Sequence, residues 1–497
     1  MNRIRQQLLL ALMGLITACS YNELPEEFVP QTIYEEDGLV LNVETRAETY
    51  NGQVLDQEHF VTAEDLANFV KYRRSASKRS DLAVKEVKSY GFDSSQTLFY
   101  ILNYDKGWEV VSADKRVQPT LAHGDSGEFT MECDNESMKF WMNMLADGIL
   151  QTRLGNFDKK NNEATASAES KEATDDSQSD HTAFWDAISP TSTSRTRLDI
   201  LVPTPGPVDP EYYTYLVDRE VETNVVYQIG PLLSTEWHQG SPWNSYCPPK
   251  SDGSSGHVPA GCVAIAGAQV LYYYHYFFDM DNLAPATAIA NGTLSDWNIL
   301  FGGFSSTTWD EMAKKANESF NKKQKTAIFI AHIGNLVNME YDNDGSGAYT
   351  MSLQNLVFSE YGISCSKASS YDSDIIIQNI IDRLPVVIKG RNNVIISNGG
   401  GHAWVIDGYQ RTYDKITNYY AVFDTVQLPS YIATLDKDDA DYSSSTTTTT
   451  MKKVHMDWGW QGGDGFFSLI PSEWIQQGQN CGYEYHINML HDFAVIE

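Results

Sequence analysis

Apolar residues along the chain gather in two regions with a polar gap between them, and within each region their period names the local structure. The run from Thr62 to Val70 opens as a helix does, with Thr62 placed to cap it and Glu64 and Asp65 in the first turn. Residues 99–102 and 108–111 predict two strands joined by a turn over 103–107. Residues 138–150 predict a second helix, because Phe140, Trp141, Met144, Leu145 and Ile149 recur at helical spacing. These elements predict a small α+β unit over residues 55–155. Residues 156–183 are almost wholly Asn, Glu, Ala, Ser, Thr, Lys, Asp and Gln, and Pro recurs at 203, 205, 207 and 210. Such a stretch buries too little apolar surface to fold alone and predicts a linker over 156–219. A second domain is expected over 220–497, interrupted by an acidic and then Ser/Thr-rich stretch, 436–450, that reads as a surface loop. Residues 20–54 are polar and acidic and read as a flexible tether.

The chain has 497 residues, 42% of them hydrophobic and 12% aromatic, which excludes wholesale disorder. Its net charge of -30 opposes non-specific binding to nucleic acid, since a polyanion is repelled by most of such a surface. No run after the N-terminus approaches the roughly 18 apolar residues of a membrane-spanning helix. The first 19 residues are different. Arg3 and Arg5 precede an apolar stretch, and small residues Thr17 and Ala18 precede Cys19, the layout of a bacterial export signal. Residues 16–19 resemble a lipobox, in which Cys19 is lipid-modified; a plain secretory signal is the alternative. Either predicts a protein that leaves the cytoplasm, anchored to the cell envelope or released. Of the six cysteines, five then remain, and an odd number in an exported chain leaves at least one thiol unpaired.

Cys262 draws attention first. Pro259, Ala260 and Gly261 end a loop, and an apolar stretch rich in small residues follows, predicting a core helix with Cys262 in its first turn. Unpaired N–H groups and the helix dipole there favour a thiolate and offer donors to an oxyanion. The alternative is a buried cysteine acting as a small hydrophobe. His402 follows three glycines and opens a strand of alternating character ending at Gly408, a place that suits a cleft-facing base. His257 competes from a Gly/Ser-rich loop. Asp457 is a candidate to orient the imidazole, and Trp458 or Trp460 to shield that contact from water. Gln239 carries an amide able to donate to an oxyanion.

In this order the motifs Gln239-Gly240, Gly261-Cys262-Val263-Ala264, Gly400-Gly401-His402-Ala403 through Asp407-Gly408, and Trp458-Gly459-Trp460 through Phe467 resemble the streptopain family of papain-like cysteine peptidases. Residues 230–237 followed by Cys247-Pro248 resemble the start of that family's catalytic domain. Residues 99–104 and 111–116 are similar to the hairpin of its propeptide. The resemblance implies an α+β fold, with a helical part carrying the nucleophile packed on an antiparallel sheet and a small inhibitory prodomain in front. It implies an exported zymogen that hydrolyses peptide bonds in proteins, with Cys262 as nucleophile, His402 as base and acid, and Gln239 in the oxyanion hole. Its own prodomain would be its intramolecular inhibitor. Two departures stand out: Asp457 occupies a position where an Asn is expected, and about 45 residues, 410–454, separate the His402 strand from the Trp-Gly-Trp motif.

No cofactor or metal is expected. The sequence 342–347 has the glycine of an EF-hand loop but Leu353 where its last acidic ligand belongs, so a Gly/Asp turn near the cleft is expected instead. No His-Glu-x-x-His, Cys-x-x-Cys, Walker or Gly-x-Ser-x-Gly motif is present. Another thiol acyltransferase or amidase of the same superfold, and a surface adhesin with a vestigial cleft, remain as other readings.

Overall fold

The computed structural model describes residues 49–50, 52–77, 83–92, 96–133, 135–155, 181–189, 213–278, 309–392, 401–423, 442–460, 462–470 and 485–496. The export signal, Cys19, most of the expected tether and Cys481 lie outside them.

The N-terminal unit holds helix α1 (Ala63–Ser77), strands β1 (Val84–Tyr90), β2 (Phe99–Tyr104), β3 (Trp108–Ser112) and β4 (Thr120–Gly124), and helix α2 (Glu136–Arg153). Thr62 and Asp65 cap α1 reciprocally: the Thr62 hydroxyl accepts from Asp65 N at 3.2 Å, and the Asp65 carboxylate accepts from Thr62 N at 2.8 Å. The β2–β3 turn closes at Gly107, whose φ of 81° and approach to the Gly124 carbonyl leave no room for a side chain. Asn135 caps α2 by accepting from Met138 N at 3.0 Å. Almost every residue of α2 is buried, charged ones included, because the helix lies between two layers rather than on a surface.

Helix α3 (Thr182–Ile188) and strand β5 (Tyr213–Ile229) come next, the first within the stretch read as linker and the second crossing its expected end at 219. Phe184, Trp185 and Ile188 fold α3 by burying themselves against residues far away in sequence. The C-terminal region carries α4 (Cys262–Phe277), α5 (Phe320–Leu336), β6 (Ile363–Ala368), α6 (Ser373–Ile381), β7 (Val386–Asn392), β8 (Gly401–Phe423), β9 (Tyr442–Asp457), β10 (Gly465–Ser468) and β11 (Tyr485–Val495). Its small residues let α4 approach its neighbours closely: a Cβ on Gly267 would lie 2.7 Å from Leu353. The aromatic run that continues α4 is only partly core, with Tyr272 and Tyr274 buried but Tyr276 45% exposed.

One eleven-stranded sheet runs through both regions in the order β1-β2-β3-β4-β10-β9-β8-β7-β11-β6, with β5 pairing β8. The two regions join where Phe466 faces His123 and Phe467 faces Ala122. Strand β8 is long and divided in use. Along one edge residues 401–406 pair with β7 and 409–423 with β5, and along the other edge β9 pairs from Val405 to Ala421. The expected surface loop is therefore largely strand from Tyr442 onward. Its Thr-rich run suits a pleated ladder, because β-branched side chains are stiff in extended backbone. We call β5, β9 and the outer half of β8 the arm.

Candidate active site

Gly261, with φ of 88°, ends the incoming loop in a conformation that other residues rarely adopt, and Cys262 follows as the first residue of α4. A Cβ on Gly261 would press on Met339 and on the Ser346 carbonyl, so the turn over 342–347 abuts the nucleophile loop. Ser346 donates to the Pro259 carbonyl at 2.6 Å, placing that turn where the sequence suggested. Gln239 also comes alongside, its carbonyl accepting from Ala260 N at 2.9 Å. His257 is tied elsewhere, its Nδ1 lying 2.6 Å from the Cys247 carbonyl.

The two halves of the expected dyad meet through the backbone. Ala403 N–H donates to Cys262 Sγ at 3.4 Å, so the thiol sits against the peptide one residue beyond His402. Along β8, Ala403 and Val405 pack with α4, while Trp404 and Ile406 pack with α2, and the two-residue period puts His402 on the α2 side. Among the described residues no hydrogen bond joins Sγ to the imidazole. Burial pushes the Cys262 thiol up, against the pull of the Ala403, Val263 and Cys262 N–H groups, which keeps it protonated near neutrality. Burial holds His402 below the usual histidine range, with Glu136 of α2 pulling it up and Lys139 pushing it further down. Opposite His402, Gly390 is covered by Phe140 of α2, whose ring would lie 2.5 Å from an added Cβ. Helix α2 of the N-terminal unit therefore packs beside the imidazole, and burial favours the neutral form of both groups.

Asp457 is oriented from the α4 side. Gln269 donates to one carboxylate oxygen at 2.9 Å and Gly459 N to the other at 3.0 Å, and the described residues show no bond from it to His402. Burial, with the nearby Asp407 charge, pushes Asp457 up to about 7, although those two donors lower it. Trp458 is fully buried, donates from its indole to the Gly463 carbonyl at 3.0 Å and packs against Trp404 with centroids 5.6 Å apart. It thus stacks behind the strand that carries His402.

Sequence reasoning missed the His–Asp pair that does form, His455 with Asp407. His455 Nδ1 lies 2.6 Å from an Asp407 oxygen, and the other Asp407 oxygen accepts from Leu233 N at 2.9 Å. Burial lowers the His455 pKa, but the Asp407 charge and hydrogen bond outweigh it and raise the group above its ordinary value. Asp464, which accepts from Trp458 N at 3.1 Å, is raised well above the carboxylate range by burial and by Asp457. Part of the signal was present, since Asp407 lies inside a quoted motif and His455 three residues before another. Their pairing depends on the bulge between Ile406 and Gly408, which sequence period does not reveal. Cys247, Cys262 and Cys365 are free thiols. Among the described residues no cluster of metal-ligating side chains occurs.

Comparison with known proteins agrees with this layout. Residues 237–467 match the model of the Peptidase C10 family, and residues 56–149 match that of the Spi protease inhibitor. Streptopain of Streptococcus pyogenes is 24% identical over 277 residues, 52% of this chain and 58% of its own length, so the chain spans little more than half of that relative. The streptopain sequence of the serotype M1 strain aligns over the same extent with the same identity. Among solved structures, a fragment of Prevotella intermedia prointerpain A is similar at 19% identity and a TM-score of 0.43, covering 80% of this chain and 96% of that one. The region that carries Cys262, His402 and the Trp458 turn belongs to the Peptidase C10 family, and a unit of the Spi protease inhibitor type precedes it.

Proposed function

We propose that the chain is the proenzyme of an exported cysteine endopeptidase, anchored by a lipid on Cys19, whose N-terminal unit is its intramolecular inhibitor. The bond from Ala403 N–H to Cys262 Sγ carries this reading, because it brings the two chemistry-bearing motifs to one place. With α2 gone, the imidazole is free to turn to the thiol and take its proton. The thiolate then attacks the scissile carbonyl, forming an S–C bond, while the Cys262 N–H and the Gln239 amide hold the oxyanion. The C–N bond breaks as the imidazolium gives its proton to the leaving amine. Water, losing a proton to the imidazole, cleaves the thioester and restores the thiol. Asp457 and Trp458 act as positioning residues, fixing the Trp-Gly-Trp turn between α4 and the His402 strand. Cleavage within the polar stretch 155–215 severs the covalent link between the two units, at a place whose composition suits proteolysis.

The test is digestion of casein under reducing conditions by the chain lacking residues 1–19, beside its Cys262→Ala twin. The expected result is self-shortening and casein cleavage by the first and neither by the second. Turnover above trace by a folded Cys262→Ala chain would overturn the assignment. Transferred acyl groups in place of hydrolysed products, read by mass spectrometry, would mark an acyltransferase.

A further inference from the structure

The arm has one face that is buried and one that is not. Along β8, Asp414, Ile416 and Asn418 are buried while their odd-numbered neighbours are partly or fully open. The cover is α1 and α3, not the α2 that packs beside the imidazole. Tyr72 of α1 donates to Asp414 at 2.6 Å, within a fully buried contact. Phe184 of α3 meets Tyr72 edge-on, with centroids 5.2 Å apart, and Trp185 lies 5.7 Å from Phe69, so α3 is wedged between α1 and the arm. The arm grips the wedge by its carbonyls: Asn418 donates to Ala187 at 2.9 Å, and Arg219 of β5 donates to Ile188 at 2.9 Å and to Ser189 at 3.1 Å. These side chains, with one face of the N-terminal sheet, make a hydrophobic core of their own that includes Ile416.

We propose that the arm is a second anchor for the inhibitor-like unit, remote from the cleft, and that this anchor outlasts cleavage of the connecting segment. Two contacts on one rigid unit reinforce each other, because while either holds, the other rebinds at high effective concentration. A cut in 156–180 leaves α3 on the peptidase side, and a cut in 190–212 leaves it on the inhibitor side. Neither removes a residue of the contact. Activation, which here rests on the function proposed above, then has two steps: the cut, and a slower departure from the arm.

The test needs no catalysis. In the full chain carrying Cys262→Ala, a recognition site for a sequence-specific protease is placed within 195–205, the chain is cut, and the fragments are followed by gel filtration and by dissociation rate. The expected result is co-elution of both fragments, with dissociation about a hundredfold faster in Ile416→Asp and about tenfold faster in Asn418→Ala with Arg219→Ala. The milder pair guards against misfolding of the first, and thermal melting of each uncut chain reports on its fold. Immediate separation of the fragments with the unaltered arm, or dissociation equally slow in every folded variant, would overturn the proposal. Failure of casein digestion would leave this result untouched.

Discussion

The inner and outer halves of β8 lie under the same N-terminal unit yet meet it in opposite ways. The inner half, around Trp404, faces α2 with rings on bare backbone: Trp141 packs edge-on to Trp404 at 6.3 Å, and Phe140 rests on Gly390. The outer half presents alternating polar groups, and Asp414, Asn418 and Lys453 are buried there beside Arg73 and Glu109 of the N-terminal unit. Arg73 donates to Glu109 at 3.1 Å, while Lys453 is lowered to about 8 by burial, with Glu109 and Asp414 opposing. The ring contacts at the inner half pair no charge of α2 with a charge of β8, since Lys139 is matched by Glu136 within α2 itself. A charged seam is costly to open one partner at a time, since each leaves the other buried and unpaired. Each kind of contact suits the role proposed for its place, release at the inner half and retention at the arm.

The largest effect is expected at the inner half, where His402→Ala should lower kcat/KM of processed enzyme by at least about a thousandfold, with the melting temperature little changed. Next, Gly390→Ala puts a methyl group where Phe140 sits and should force α2 off the cleft while the arm stays engaged. Basal activity and thiol labelling of Cys262 should rise severalfold, and the double variant with Phe140→Ala should relieve the part of the strain that falls on α2, leaving the crowding against Trp404 at 2.7 Å; unchanged labelling would show that α2 yields without opening.

Asp457→Asn separates electrostatics from packing. A carboxylate raised in the folded state favours folding below its unfolded pKa, and that contribution is lost as pH rises through about 7. The unaltered chain, carried as Cys262→Ala, should therefore lose stability between about pH 4 and 7 from this group, and Asp457→Asn should flatten that part of the curve. The expected difference near pH 8 is on the order of 1–4 kcal/mol in favour of the variant, read from urea midpoints. On the outer half, Tyr72→Phe strands the Asp414 carboxylate and should cost about 1–3 kcal/mol in the uncut chain. Thr62→Ala, removing only the cap of α1, should cost about 1 kcal/mol.

What was legible beforehand follows the range of the interactions. Cys262, His402 and the hairpin over 99–112 were readable because the loop, the turn and the helix start are all made by neighbours in sequence. The arm was not. Its ladder joins residues near 215 to residues near 420, and its Thr-rich strand looks like surface until a partner strand is supplied. Phe184 and Trp185 were hidden for the same reason, as two rings in a polar stretch mean little until Phe69 and Tyr72 are found beside them. The orientation of Asp457 toward Gln269, rather than toward the imidazole, also depends on a contact spanning 188 positions in sequence.

The junction between the two regions has one more consequence. Once the N-terminal unit departs, β10 becomes a sheet margin with its backbone amides and carbonyls newly unpaired. That margin is four residues long, and only Phe466 and Phe467 had partners across it. Long, flat, open margins are where one chain templates the backbone of the next. A margin this short, on a region whose residues 220–497 carry 30 acidic against 15 basic side chains, gives other molecules almost nothing to zip onto, so the freed C-terminal region is expected not to polymerise through the surface it has just uncovered.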